Sequence, residues 1–116
     1  MALRKRLICE AGALADGGKG VVFETEHDGR TVPGFAVRYR GSVHAYLNRC
    51  AHVAMELDWR PGEFFDQSGV YLICATHGAL YAPDSGACMG GPCQGGALVR
   101  LAAEENDGKI YLIEDK

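Results

Sequence analysis

Two short pairs of metal-ligating side chains dominate this sequence. They are Cys50-Ala51-His52 and Cys74-Ala75-Thr76-His77, with 21 residues between them. Each pair puts one thiol and one imidazole in a single loop, so a shared site requires two loops remote in sequence to face each other. A scaffold of short strands and tight turns can do that, and the rest of the chain reads as one. Leu7 to Cys9, Gly20 to Thr25, Pro33 to Tyr39, Val43 to Leu47, Val70 to Ile73, Leu98 to Ala102 and Ile110 to Ile113 are expected as strands. His27-Asp28-Gly29-Arg30, Arg40-Gly41-Ser42 and Asn106-Asp107-Gly108 are expected as turns, because such residues supply the positive φ that hairpins need. One short helix is expected between Ala54 and Arg60, where no Gly or Pro intervenes. The expected class is all-β, a small antiparallel sandwich or barrel.

A length of 116 residues suits one domain, 1–116, with a thin core. The net charge of −3 argues against a duplex-DNA binder, so no nucleic-acid partner is expected. The basic start Arg4-Lys5-Arg6 is followed only by Leu7-Ile8-Cys9 before Glu10, too short for the apolar run of a signal peptide. No stretch approaches the roughly 18 apolar residues of a membrane span. A cytoplasmic location is expected, where clustered Cys and His more often mean metal than disulfide. Residues 50–93 carry a formal −4 and the remainder +1, and that span holds four of the five cysteines. It reads as a chemistry-bearing insertion on a β scaffold.

Cys2His2 sets are commonly zinc sites, but zinc fingers pair Cys with Cys and His with His. Mixed loops suit a binuclear cluster better, since in a Rieske [2Fe–2S] centre two Cys hold one iron and two His the other. The string Cys50-x-His52, Cys74-x-x-His77-Gly78 and Gly86-x-Cys88-x-x-Gly91-Pro92 resembles the Rieske iron–sulfur domain, as does the approach Arg40-Gly41-x-x-x-Ala45-Tyr46. The resemblance spans most of the chain. It implies an antiparallel β scaffold with an inserted cluster-binding subdomain, about 48–94. It implies one [2Fe–2S] cluster per chain, ligated by Cys50, His52, Cys74 and His77, and a covering loop that carries Gly91 and Pro92.

Two ferric ions, two sulfides and two thiolates sum to zero charge with neutral imidazoles, whereas four thiolates would give −2. Adding an electron to the neutral cluster is easier, so histidine ligation raises the potential. Each ligating imidazole keeps a free ring nitrogen that can lose a proton, which makes the potential pH-dependent in the alkaline range.

High-potential members of the family, from membrane quinol-oxidising complexes, resemble one another in a disulfide between the ligand loops. The matching positions here are Met55 and Thr76, so that bridge cannot form. Those members also carry a Ser that donates to a cluster sulfide where this chain has Ala79, and a Tyr that donates to a ligand sulfur where it has Tyr81. Ala79 points to a lower potential and Tyr81 to a higher one, unless Tyr81 is only a core aromatic. The chain looks more like soluble ferredoxins of bacterial ring-hydroxylating oxygenase systems, carrying one electron from a flavin-dependent reductase to a terminal oxygenase. Its length leaves no room for an oxygenase catalytic domain. A small subunit of a nitrite-reductase-like enzyme, a zinc-stabilised interaction module and an iron–sulfur sensor stand as alternatives.

Cys88 and Cys93 are close enough in sequence to bridge, though a reducing compartment argues for small packing residues instead. Cys9 is expected as a buried strand residue, and His27 and His44, which lack a paired Cys, as non-ligands. Met55, Leu57 and Trp59 alternate with Glu56 and Asp58, either as an acidic docking surface or as a solvated loop with Trp59 tucked in. Arg49 abuts the first ligand pair, where it can form a local ion pair or raise the cluster potential.

Overall fold

The computed structural model of the chain describes residues 3–27, 29–49, 56–58, 60, 62–74, 78–91 and 95–115. Among these residues the elements are β1 (Leu3–Glu10), a 3-10 turn (Ala11–Ala13), β2 (Val21–His27), β3 (Arg30–Tyr39), β4 (Ser42–Leu47), β5 (Leu72–Cys74), β6 (Ala79–Tyr81), β7 (Cys88–Gly90), β8 (Arg100–Leu101), β9 (Ala103–Asn106) and β10 (Lys109–Asp115). They build three antiparallel sheets, ordered β1-β10-β9, β2-β3-β4-β8 and β5-β6-β7. The expected all-β class holds.

The turns act as their residues dictate. Arg40 and Gly41 have φ of 52° and 82°, and Asp107 and Gly108 have 56° and 76°. Two successive left-handed residues match the right-handed twist of the flanking strands, which closes β3–β4 and β9–β10. β2 and β3 pair from Val21–Ala36 to His27–Arg30, so His27 ends a strand rather than lying in the turn.

The second sheet is the middle layer. On β3, Phe35, Ala36 and Val37 are all buried, with no alternation. Phe35 and Val37 pack with Tyr46, Leu57, Phe64, Leu72, Cys74, Ala79, Tyr81 and Leu98. Ala36 and Ala45 face the other way, with Leu14 and Ile110. A strand covered on both faces loses the hydrophobic–polar alternation of a half-buried one. The rings of Phe35 and Phe64 stack with centroids 3.9 Å apart and planes 10° from parallel, which ties the middle sheet to the segment that leads into β5.

Arg38 fastens the outer face. Its Nε donates to the Leu14 carbonyl at 2.8 Å and Nη2 to that of Ala11 at 3.3 Å. Its Nη1 and Nη2 reach the two Glu105 carboxylate oxygens at 2.8 and 3.1 Å. One fork thus joins β3, the β1–β2 connection and β9.

Three expectations need correction. Glu56–Asp58 and Arg60 are not helical; Ala54, Met55 and Trp59 lie outside the described residues. Instead of continuing a helix, Leu57 and Asp58 hydrogen-bond to Asn48. Strand β5 starts at Leu72, not Val70. Asp66 Oδ1 accepts from the Ser68 hydroxyl at 2.7 Å, and Ser68 Oγ accepts the Val70 N–H at 3.1 Å. Those side chains capture the backbone that a ladder would have used. Cys9 is half-buried rather than buried.

Candidate metal centre

Cys50, His52, His77 and Pro92 lie outside the described residues, as do Cys93, Trp59 and the Met55 and Thr76 positions. Of the four expected ligands, Cys74 is described. It is the last residue of β5, fully buried, and a thiol rather than a disulfide sulfur. Strand periodicity puts Leu72 and Cys74 on the buried side and turns half-buried Ile73 the other way. Cys74 pairs with Ala79 across β5–β6. The Gly78 N–H donates to the Cys74 carbonyl at 2.8 Å and closes the base of the connection that carries the second Cys/His pair.

Gly91 lies directly against that connection. A Cβ there would come within 3.0 Å of both Ala79 Cα and the Gly78 carbonyl oxygen, and its φ is +85°. Any side chain would push Gly91 away from Gly78 and Ala79, so glycine is what lets the chain pass that close to the start of β6. The β6–β7 connection is held by Tyr46, fully buried on β4, whose hydroxyl donates to the Pro83 carbonyl at 2.7 Å. A Cβ at Gly86 would meet the Tyr46 ring at 2.8 Å, so the ring closes on glycine there too. Burial pushes the Tyr46 phenol up to about 12, Arg100 opposing and Asp84 adding to the shift.

The first ligand loop leaves the scaffold at the end of β4, and its described return limb is Glu56–Asp58. Leu57 is fully buried in the same core as Cys74, Ala79 and Tyr81. Among the described residues, the return limb of the first ligand loop and the Cys74–Ala79 hairpin thus share one core. Ala79 is fully buried and has no hydroxyl to offer a sulfide; Tyr81 is fully buried two residues on, which is compatible with both of its readings.

Among the described residues, no three His, Cys, Asp or Glu side chains gather into another metal-sized group. His44 Nδ1 is buried with no hydrogen-bond partner, and desolvation, helped by Arg100 and opposed by Asp84, holds its pKa below the usual value. Burial raises the Cys9 thiol. Cys88 is disulfide-bonded and also packs against the first core, and Met89 beside it is exposed. Of the acids in residues 50–93, Asp58 and Asp66 are spent on internal hydrogen bonds, while Glu56 and Asp84 are exposed. That division fits a solvated loop better than a continuous acidic face. Arg49 is exposed. Sequence reading missed Tyr46 and Asn48 as site-building residues, though both lie within four positions of Cys50.

A profile of the Rieske [2Fe-2S] domain matches residues 6–114, nearly the whole chain. The chain belongs to the Rieske [2Fe–2S] domain family. No curated protein matches it by sequence. Among solved structures, the Sphingomonas yanoikuyae B1 ferredoxin superposes with a TM-score of 0.72 at 20% identity, covering 97% of this chain and 100% of that one. The ferredoxin of carbazole 1,9a-dioxygenase from Nocardioides aromaticivorans IC177 gives 0.70 at 20%, over 93% and 95%. A putative NADH-dependent nitrite reductase small subunit from Mycobacterium tuberculosis gives 0.69 at 19%, over 100% and 99%. At such identities the likeness is one of fold.

Family membership gives this Rieske domain a [2Fe–2S] cluster. The described residues fit one: Cys74 offers a buried, unoxidised thiol at a closed hairpin end, with small Ala79 and Gly91 beside it. Among the described residues no helix is long and apolar enough to cross a membrane.

Proposed function

We propose that this Rieske domain is a soluble, cytoplasmic ferredoxin that takes one electron from a flavin-dependent reductase and passes it to a terminal oxygenase or similar acceptor. When bound, the cluster supplies a reversible one-electron couple. The chain supplies the rest. Cys50 and Cys74 would hold one iron and His52 and His77 the other, within a cluster-binding subdomain of about 48–94. The ring nitrogen left free on each histidine would carry an exchangeable proton and meet the redox partner. Gly91 and Pro92 cover one side. The observation that supports the reading is likeness to a ferredoxin over 97% of this chain and 100% of the Sphingomonas one.

The test is the reduction potential of anaerobically purified protein across neutral to alkaline pH. The expected result lies toward the low end of the Rieske range of about −150 to +300 mV, flat near neutrality and falling in alkali. His77→Ala should abolish that behaviour. A colourless, redox-silent protein with one zinc would replace the carrier with a zinc-stabilised module. The nitrite reductase small subunit, matched over 99% of its length, supports a second reading as a reductase subunit. Stable co-purification with a large subunit would favour that over a free carrier.

A further inference from the structure

The strongest unassigned feature is a polar knot at the base of the first ligand loop. Asn48 is a polar residue with only 3% of its surface exposed, immediately after β4. Its backbone N–H donates to the Pro33 carbonyl on β3 at 2.9 Å, so it is anchored to the middle sheet. Its side chain reaches across to the limb that returns from the loop. Asn48 Oδ1 accepts the Leu57 N–H at 2.8 Å, and Asn48 Nδ2 donates to Asp58 Oδ1 at 3.0 Å. The other Asp58 oxygen accepts the Gly62 N–H at 3.2 Å, and the Gly62 carbonyl accepts from Gly20 at 2.8 Å, just before β2. The amide orientation follows from its partners, since only an oxygen can meet the Leu57 N–H and only an N–H can meet the carboxylate.

One side chain therefore holds both ends of the loop that carries Cys50 and His52. Its outgoing end is Asn48 itself; its returning end is Leu57 and Asp58. An apolar residue of the same size would fill the space but leave the Leu57 N–H and one Asp58 oxygen without the partner Asn48 gives them. Closing a loop at its neck removes much of the freedom its tip would otherwise have.

We propose that Asn48 is a positioning residue that fixes the first ligand loop for cluster binding, with Asp58 as its counterpart. This rests on the Rieske cluster reading above. The pair has a built-in test, because the two side chains can be exchanged. In Asn48→Asp/Asp58→Asn every hydrogen bond is kept, with the direction of the one between the side chains reversed. In Asn48→Asp alone, two carboxylates face each other.

The experiment measures iron and acid-labile sulfide, the visible circular dichroism and electron paramagnetic resonance spectra, and the rate of iron loss to a chelator, for wild type, each single variant and the exchange. Melting of the metal-free proteins is followed alongside. Asn48→Asp should lose iron about tenfold faster than wild type, the size expected when a buried hydrogen bond is lost, with altered spectra. The exchange should return to within about twofold, with wild-type spectra. Wild-type retention in Asn48→Asp, or an exchange no better than that variant, overturns the proposal. So does a loss fully matched by the melting of the metal-free protein, which would make the knot a purely structural one. Should Asn48→Asp fail to fold, the exchange decides: folded with its cluster it supports the proposal, folded and shedding iron it overturns it. A wild-type protein that binds no [2Fe–2S] cluster would instead overturn the cluster reading, and this inference with it.

Discussion

Tyr81 and Tyr46 are both fully buried phenols, yet they face different tasks. Tyr81 shares its core with Cys74, the described member of the expected ligand set. A hydroxyl donated to a ligand sulfur stabilises the reduced cluster, and one hydrogen bond of about 1 kcal/mol corresponds to about 40 mV for a single electron. Tyr81→Phe should lower the potential by about that much while the fold melts nearly as before; an unchanged potential assigns Tyr81 to packing alone. Tyr46 braces the Pro83 carbonyl, and its pKa of about 12 stands above the ordinary 10 because burial disfavours the phenolate. The fold therefore holds the Tyr46 proton more tightly than the unfolded chain does. Its contribution to stability is complete below about pH 10 and is lost as pH rises through about 12, an effect of about 3 kcal/mol. Urea melts between pH 9 and 12 should show that decline, and Tyr46→Phe should flatten it. At neutral pH the same variant should cost about 1–3 kcal/mol, since the Pro83 carbonyl is left buried without its donor.

At the scale of elements, Arg38 shows what joins the outer sheet to the middle one. Its side chain is only 14% exposed, and its fork satisfies the Leu14 and Ala11 carbonyls as well as Glu105. Arg38→Met keeps the stem but orphans those groups. It should cost about 2–4 kcal/mol in urea unfolding, with the cluster spectrum unchanged because the site lies across the middle sheet. Arg38→Lys should recover little, as one ammonium cannot reproduce the fork. None of this was visible in the sequence, where Arg38 is one charged residue on a strand. The hairpins were visible, because turns such as Asp107-Gly108 are decided by local backbone preference. Strands β6, β7 and β9 were not picked out, being three or four residues long with no period to read. Cys88–Gly90 contains a glycine and becomes a strand through its neighbour β6. The two Cys/His motifs were legible for the same reason as the turns: their information is local. The Asn48–Asp58 contact spans ten residues and forms only once β4 and the return limb are in place.

Among the described residues three sheets enclose two cores, and the layers differ in what they support. One core lies between the middle sheet and the third sheet and contains Cys74, Tyr81 and Leu57, together with the stacked pair Phe35 and Phe64. The other, between the middle and outer sheets, contains Ile110, Ala36, Ala45 and Leu14. Truncation in either core should destabilise the domain, by about 3–5 kcal/mol for Phe35→Ala and about 2–5 for Ile110→Ala. Their effects on the cluster should diverge. Phe35 loss opens a void in the core that holds Cys74 and Leu57, and a close-packed interior transmits the resulting strain to those residues. Ile110 loss leaves that core intact. Chelator-driven iron release, measured well below the melting temperature, should therefore be several-fold faster in Phe35→Ala than in Ile110→Ala, even where the two melt alike. Equal release rates at equal stability would mean that the cluster senses only global unfolding, and the division of labour between the two cores would have to be abandoned.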